Sequence, residues 1–283
     1  ILHKSMSETL QKNLDEINKL PGLNKVKNEV KALVAYLQSA KERKEKGLSE
    51  GPALTLHLIF SGNPGTGKTT VARILADIYR ELGLIQEGKL FEVTRSDLVV
   101  AEKGKTALRA AEKFNQALDN VLFIDEAYTL INKKDPNDNG QEAIDELLKY
   151  MEDYRDRLIV IVAGYENDMK DFVAANAGLA SRFKKNIIFE NYNDIELYQI
   201  FYKMCRDSNY IIANDASIAI KNACKKVIEI TGDKYSNARD ARRFFESTIQ
   251  YQSLRLTKKE NKTKMDLMMI KKEDVENAIE NFG

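Results

Sequence analysis

Residues 62–69 read Gly62-Asn63-Pro64-Gly65-Thr66-Gly67-Lys68-Thr69, followed by Thr70, and the octapeptide fits the pattern G-x-x-x-x-G-K-[ST]. Its surroundings give the pattern physical meaning. Leu54 to Phe60 is almost continuously apolar, as expected of a strand covered on both faces of a parallel sheet. Downstream, Val71, Ile74, Leu75, Ile78 and Leu82 recur at the spacing of one helical face. A glycine-rich turn between a buried strand and an amphipathic helix lets successive backbone N–H groups and the helix N-terminus converge on phosphate. Lys68 then reaches the β- and γ-phosphates as a point charge, and the Thr69 hydroxyl is offered to Mg²⁺. A turn that binds nothing would need sequence and context to agree by accident.

Outward from this loop, short apolar runs recur at Leu90 to Val93, Val121 to Ile124, Leu158 to Ala163 and Asn186 to Phe189, with helical patterns between them. Alternating strand and helix predicts an α/β fold, a three-layer parallel sheet. His57 falls inside the first strand-like run and reads as structural. After Tyr192 strand-like runs stop, and residues 194–209, 215–231, 237–256 and 272–281 read as helices, with a polar connector from Lys258 to Lys264. Ahead of the sheet, Val26, Val30, Leu33, Val34 and Leu37 mark one face of a helix that Pro21-Gly22 and Gly51-Pro52 bracket. The sign-alternating run Lys41 to Lys46 reads as its solvated end. The expected organisation is an N-terminal helix or linker at 1–21 continuing from an upstream region, an α/β nucleotide-binding domain at 22–191, and a small all-helical domain at 192–283.

Val121-Leu122-Phe123-Ile124-Asp125-Glu126 is a buried strand ending in two adjacent carboxylates, an unfavourable arrangement unless they face a cation or water. Asp125 fits the acid linked to Mg²⁺, and Glu126 fits the base that polarises an attacking water. Asn132-Lys133-Lys134-Asp135 spells the N-K-x-D of guanine readers. It comes directly after the acidic pair rather than after a later strand, and the chain contains no D-x-x-G, so Asn132 to Gly140 reads as a polar loop and a GTPase is excluded.

The 283 residues carry 44 Lys plus Arg against 43 Asp plus Glu, a net charge of +1 that supplies no field for nucleic acid or anionic lipid. No apolar stretch approaches the ~18 residues of a membrane span, so no membrane insertion is expected. Cys205 and Cys224, with only His3 and His57, cannot build a Cys/His zinc cage or a disulfide framework, and a reducing cytoplasm fits best. The start Ile1-Leu2-His3-Lys4 lacks both an initiator Met and a signal-peptide core, which reads as a cut from a longer chain.

Taken together, Asn63 to Thr70, Phe123-Ile124-Asp125-Glu126-Ala127-Tyr128 and Val162-Ala163-Gly164-Tyr165 resemble the AAA+ ATPases of the CbbX and stage V sporulation protein K branch. The likeness runs from about Leu20 to Gly283 and takes in Val34-Ala35-Tyr36 and Asn237-Ala238-Arg239. It implies an ATP- and Mg²⁺-binding α/β domain, a helical lid, and a homo-oligomeric ring, usually a hexamer, that remodels a protein client. By the same resemblance, Tyr165 stands at the sensor-1 position, Arg182 at the arginine finger that enters a neighbouring subunit's site, and Arg239 at the sensor-2 position, with Arg242 and Arg243 nearby. Relatives often carry a second Arg where this chain has Ala180. They also typically carry an aromatic pore residue where this chain has Glu102, in Asp97-Leu98-Val99-Val100-Ala101-Glu102-Lys103-Gly104. That departure implies weak processive threading, with a nucleotide-switched scaffold as the alternative to a remodeller.

Overall fold

The computed structural model describes residues 8–49, 51, 55–132, 135 and 138–283. The apolar runs become β1 (Leu58–Gly62), β2 (Leu90–Val93), β3 (Asn120–Ile124), β4 (Leu158–Gly164) and β5 (Lys185–Phe189). They form one all-parallel sheet in the order β2-β3-β4-β1-β5. Every position of the central strands β3 and β4 is buried, which explains why neither alternates apolar with polar residues. β1 starts later than the apolar run suggests. His57 precedes it, and its Nδ1 accepts the Val160 N–H at 3.0 Å, taking the place of a ladder carbonyl. Leu54 lies outside the described residues, as do Ile1 to Lys4, Pro52, Lys133 and Lys134.

The sheet belongs to a first compact unit, residues 1–62 and 67–189. Its helices are α1 (Glu8–Lys19), α2 (Asn24–Glu45), α3 (Lys68–Glu81), α4 (Arg95–Leu98), α5 (Lys105–Gln116), α6 (Gly140–Asp153), α7 (Glu166–Ala174) and α8 (Ala177–Arg182). Val71, Ile74, Leu75 and Ile78 of α3 are buried as their spacing requires, as are Val26, Val30, Leu33 and Val34 of α2. Leu37 and Leu82, at the ends of those patterns, are only half-buried, and the charged end of α2 is solvated. Phe114, Leu122, Ile124, Leu147, Val160, Val162 and Phe172 join one apolar cluster. Each large side chain fully buried there contributes ~1.5–3 kcal/mol.

The second unit comprises residues 190–283 and the short segment 63–66. Its helices are α9 (Asp194–Asp207), α10 (Asn214–Thr231), α11 (Ala238–Leu256), α12 (Lys264–Met268) and α13 (Lys272–Glu280). Strand structure does not stop at Tyr192: β6 (Ile211–Ile212) pairs in parallel with β7 (Met269–Ile270). Two residues are too few for a period of two to register in sequence. Phe201, Phe244 and Phe282 pack in a chain through the core of this unit, the first pair tilted and the second edge-to-face, with centroids 5.1 and 6.0 Å apart. Arg255 grips Asp274 with two hydrogen bonds, at 2.8 and 3.0 Å, and fixes α11 on α13. Cys205 and Cys224 are free and buried, and burial pushes both thiols up to about 12. Among the described residues, no helix is long and apolar enough to cross a membrane.

Candidate functional site

β1 ends at Gly62, and α3 opens at Lys68 after Gly67, whose φ of 96° lets the chain turn into the helix. The first turn of α3 presents backbone N–H groups and the positive end of the helix dipole. Lys68 Nζ donates to Gly62 O at 2.7 Å, which places its ammonium over the end of the strand. Thr69 is half-buried and Thr70 exposed. Asn63 to Thr66 have partners within the second unit. Thr66 Oγ1 donates to Asn63 O at 2.8 Å, Asn237 Nδ2 to Pro64 O at 3.2 Å, the Ala238 N–H to Gly65 O at 3.1 Å, and the Tyr192 hydroxyl to Thr66 O at 3.1 Å. Arg239, exposed in the first turn of α11, has its backbone N 3.1 Å from where a Cβ on Gly65 would lie. The structure thus brings Arg239 and the loop tip together.

The acidic pair is built by the end of β3. Asp125 N–H still donates to Val93 O at 3.0 Å, prolonging the β2–β3 ladder by one bond. Glu126 then turns out of the sheet at φ 49°, ψ 43°, a left-handed conformation that costs a non-glycine residue on the order of 1–3 kcal/mol. Its carbonyl accepts from Thr129 N–H at 2.9 Å and Thr129 Oγ1 at 2.6 Å, bonds that hold the strained turn. Glu126 N–H donates to Asp125 Oδ1 at 3.0 Å. Asp125 is half-buried, while the Glu126 carboxylate is exposed. Burial first, and then the Glu126, Asp168 and Asp125 carboxylates among others, push the Tyr128 hydroxyl up to about 12. A cavity of about 810 Å³, lined by Thr94, Arg95, Asp125, Glu126 and Thr129 among others, opens beside the pair.

Strand order explains why distant segments converge. β3, β4 and β1 are parallel neighbours, with Ile124 opposite Val162 and Ser61 opposite Gly164, so Gly62, Asp125 and Tyr165 leave the sheet at the same edge. With strands ~4.8 Å apart, Asp125 and Gly62 sit roughly 10 Å from each other across β4. Tyr165, at 38% exposure, precedes α7 with its ring 6.1 Å from that of Tyr128. Arg182 closes α8. Within the single chain its guanidinium pairs with Glu152 at 2.9 Å and donates to Gly178 O at 3.3 Å.

The segment after α4 is anchored to the start of α6. Asn139 Nδ2 donates to Val100 O and Ala101 O, each at 3.0 Å, and Glu142 accepts from the Gly104 N–H at 3.1 Å. Glu102 pairs with Lys105 at 2.6 Å. Sequence reasoning missed Asn237, Tyr192 and Asn139 as contributors to these loops. Asn237 stood out only within the triplet Asn237-Ala238-Arg239. An Asn at a helix start ordinarily signals a cap, whereas this side chain makes no cap bond and reaches the loop instead.

A glycine loop opening a helix, an acidic pair ending the second strand over, and this parallel strand order define a P-loop nucleoside triphosphatase. Residues 58–191 match the ATPase family associated with various cellular activities (AAA), and residues 193–282 match the AAA lid domain, so the chain belongs to the AAA family. It is 38% identical to stage V sporulation protein K of Bacillus subtilis over 92% of this chain and 80% of that protein. It is 42% identical to protein CfxQ of Xanthobacter flavus, covering 84% and 74%. With the ESX-1 secretion system protein EccA1 of Mycobacterium leprae it shares 39% identity over 86% of this chain and 44% of that one. The FIGL-1 AAA domain superposes with a TM-score of 0.65 at 19% identity, covering 99% of this chain and 91% of that chain, a likeness of fold. The chain is therefore an AAA ATPase, an α/β nucleotide-binding core followed by a helical lid.

Proposed function

We propose that the protein is a Mg²⁺-dependent ATPase that works as a homo-oligomeric ring, a hexamer by analogy with its family, and remodels a protein client. The observation that carries this reading is the convergence of Gly62, Asp125 and Tyr165 at one edge of the sheet, next to the helix that Lys68 opens. Residues 22–191 would form the catalytic domain and 192–283 the lid. Lys68 and the amides of Asn63 to Thr70 hold the triphosphate, and the family resemblance gives Arg239 the sensor-2 role. A half-buried carboxylate and a hydroxyl are hard oxygen donors suited to Mg²⁺, which keeps several waters and uses few protein ligands. Asp125 and Thr69 would hold the ion, which neutralises charge on the phosphates. Glu126 accepts the proton of the attacking water, and the Tyr165 hydroxyl orients that water. Arg182, released from Glu152, stabilises charge on the phosphoryl group in a neighbouring subunit.

Buried, unbridged thiols suit a cytoplasmic setting. Glu102 and Lys103 support a client contact that is charged rather than apolar. Reporters with acidic, basic and neutral tails test this. Unfolding that depends on ATP hydrolysis, prefers one charged tail and weakens with salt is the expected result. Glu102→Ala with Lys103→Ala should abolish that preference yet leave basal turnover within a few-fold. A neutral-tailed reporter unfolded at a salt-independent rate would overturn the client reading.

A further inference from the structure

Every carbonyl from Gly62 to Gly67 has a donor. Lys68 Nζ takes Gly62 O at 2.7 Å, Thr66 Oγ1 takes Asn63 O at 2.8 Å, and the Val71 N–H takes Gly67 O at 3.0 Å. The three carbonyls between them are held from far along the chain: Pro64 O by Asn237 Nδ2 at 3.2 Å, Gly65 O by the Ala238 N–H at 3.1 Å, and Thr66 O by the Tyr192 hydroxyl at 3.1 Å. In a trans peptide the C=O of one residue and the N–H of the next point in opposite directions. Anchoring the oxygens of Pro64, Gly65 and Thr66 on one side therefore turns the amides of Gly65, Thr66 and Gly67 to the other.

Asn237 is the centre of this arrangement. It is fully buried, and its Oδ1 accepts the Tyr192 N–H at 2.8 Å. Its Nδ2 also donates to Asn191 Oδ1 at 3.0 Å, an oxygen that accepts from Asn63 Nδ2 at 3.0 Å as well. Its backbone lies at φ 57°, ψ −123°, a region that side chains disfavour and glycine enters freely. An amide in that position opposes the backbone's preference, so what it contributes is its hydrogen bonds.

We propose that Asn237, assisted by Tyr192, is a positioning residue that sets the direction of the phosphate-binding amides by holding the opposite faces of their peptides. The proposal rests on the nucleotide reading of the loop and adds the group that pre-organises it. The amides meet phosphate already aimed, so binding loses less conformational freedom.

The test uses the full chain, with ATP and inorganic tripolyphosphate as probes in calorimetric titrations. Asn237→Gly relieves the backbone and deletes the amide, and Tyr192→Phe deletes one hydroxyl. Asn237→Gly removes three neutral hydrogen bonds, one of them directly to the loop, and Tyr192→Phe removes one, so both probes should weaken about tenfold for Asn237→Gly and a few-fold for Tyr192→Phe. KM for ATP should rise with kcat at saturation retained, while the melting temperature of Asn237→Gly changes little, because the relieved backbone strain offsets the lost bonds. A purely structural Asn237 would give the reverse pattern, a lower melting temperature with unchanged affinity, and would overturn the proposal. If Lys68→Ala abolishes binding and Asn237→Gly binds tripolyphosphate like the unaltered protein, positioning is refuted and the nucleotide reading stands. If the unaltered protein binds neither probe, both readings fall.

Discussion

Replacing Gly65 by Ala probes the tightest approach in the nucleotide loop. Gly65 sits at φ +72°, where a Cβ would lie 2.2 Å from the Ser236 carbonyl oxygen and 3.1 and 3.2 Å from the backbone nitrogens of Arg239 and Ala238. The left-handed backbone alone costs an L-residue roughly 1–2 kcal/mol. Restoring an ordinary 3.4 Å contact requires about 1.2 Å of separation between backbone segments, which no side-chain rotation supplies. That displacement breaks the bond from the Ala238 N–H to Gly65 O and the bond from Asn237 to Pro64 O. At ~0.5–1.5 kcal/mol each, the two add roughly 1–3 kcal/mol. The sum, roughly 2–5 kcal/mol, corresponds to a loss of about 30-fold to a few thousand-fold in ATP affinity if the loop opens, with the remainder appearing as lower stability. Gly83→Ala is the control. Gly83 shares a positive φ of +75°, yet nothing lies within 4 Å of its added Cβ, so only the ~1–2 kcal/mol of backbone strain should appear, with ATP affinity unchanged. Calorimetric ATP titration and thermal melts of both variants decide the matter. If Gly65→Ala binds ATP like the unaltered protein and melts no lower than Gly83→Ala, the close packing of the loop on Ser236 is refuted.

Arg182→Ala removes a surface pair with Glu152 worth only ~0–1 kcal/mol, so melting should barely shift, while turnover in the assembled ring falls on the order of 10³-fold. Mixing it with Lys68→Ala subunits should restore activity at interfaces that join an intact loop to an intact arginine, and no recovery despite subunit exchange would count against action in trans. His57 is held down to about 4 by burial and by the Arg182 guanidinium, against 6.5 in an unfolded chain. The unfolded chain therefore binds the extra proton between pH 6.5 and 4. Stability is full above that window and falls through it, by up to about 3 kcal/mol, and urea midpoints of His57→Gln should show a flatter slope. Cys205 and Cys224, with thiols pushed up to about 12 by burial, should resist iodoacetamide at pH 8 until the protein is unfolded; rapid alkylation of native protein would contradict their burial.

Much of the fold is legible because its signals are local. Glycine spacing, an apolar run and a helical face around Lys68 are enough to place the loop, and β3 shows its burial through the unbroken Val121 to Ile124. Asp125 and Glu126 stand out because adjacent carboxylates oppose the burial that precedes them. What stays hidden is long-range or too short to repeat. β6 and β7 have two residues each. Asn237 meets Pro64 across 173 positions of sequence, and no periodicity encodes such a contact. Left-handed Glu126 was equally invisible, since its strain is imposed by the Thr129 bonds rather than by its own preference. The partner of Arg182 within one chain, Glu152, depends on how α6 and α8 pack, while its proposed role depends on a second subunit.

Hydrolysis by Glu126→Gln tests the assignment of the site most directly. Labelled ATP is mixed with excess protein and Mg²⁺, and bound nucleotide and released phosphate are followed together in a single turnover. Gln keeps the shape of Glu126 and cannot accept a proton. Binding should therefore match the unaltered protein, while phosphate release slows by about 10²-fold or more. Equal release by the two proteins would contradict the account, because the water would then be activated by a group other than the Glu126 carboxylate.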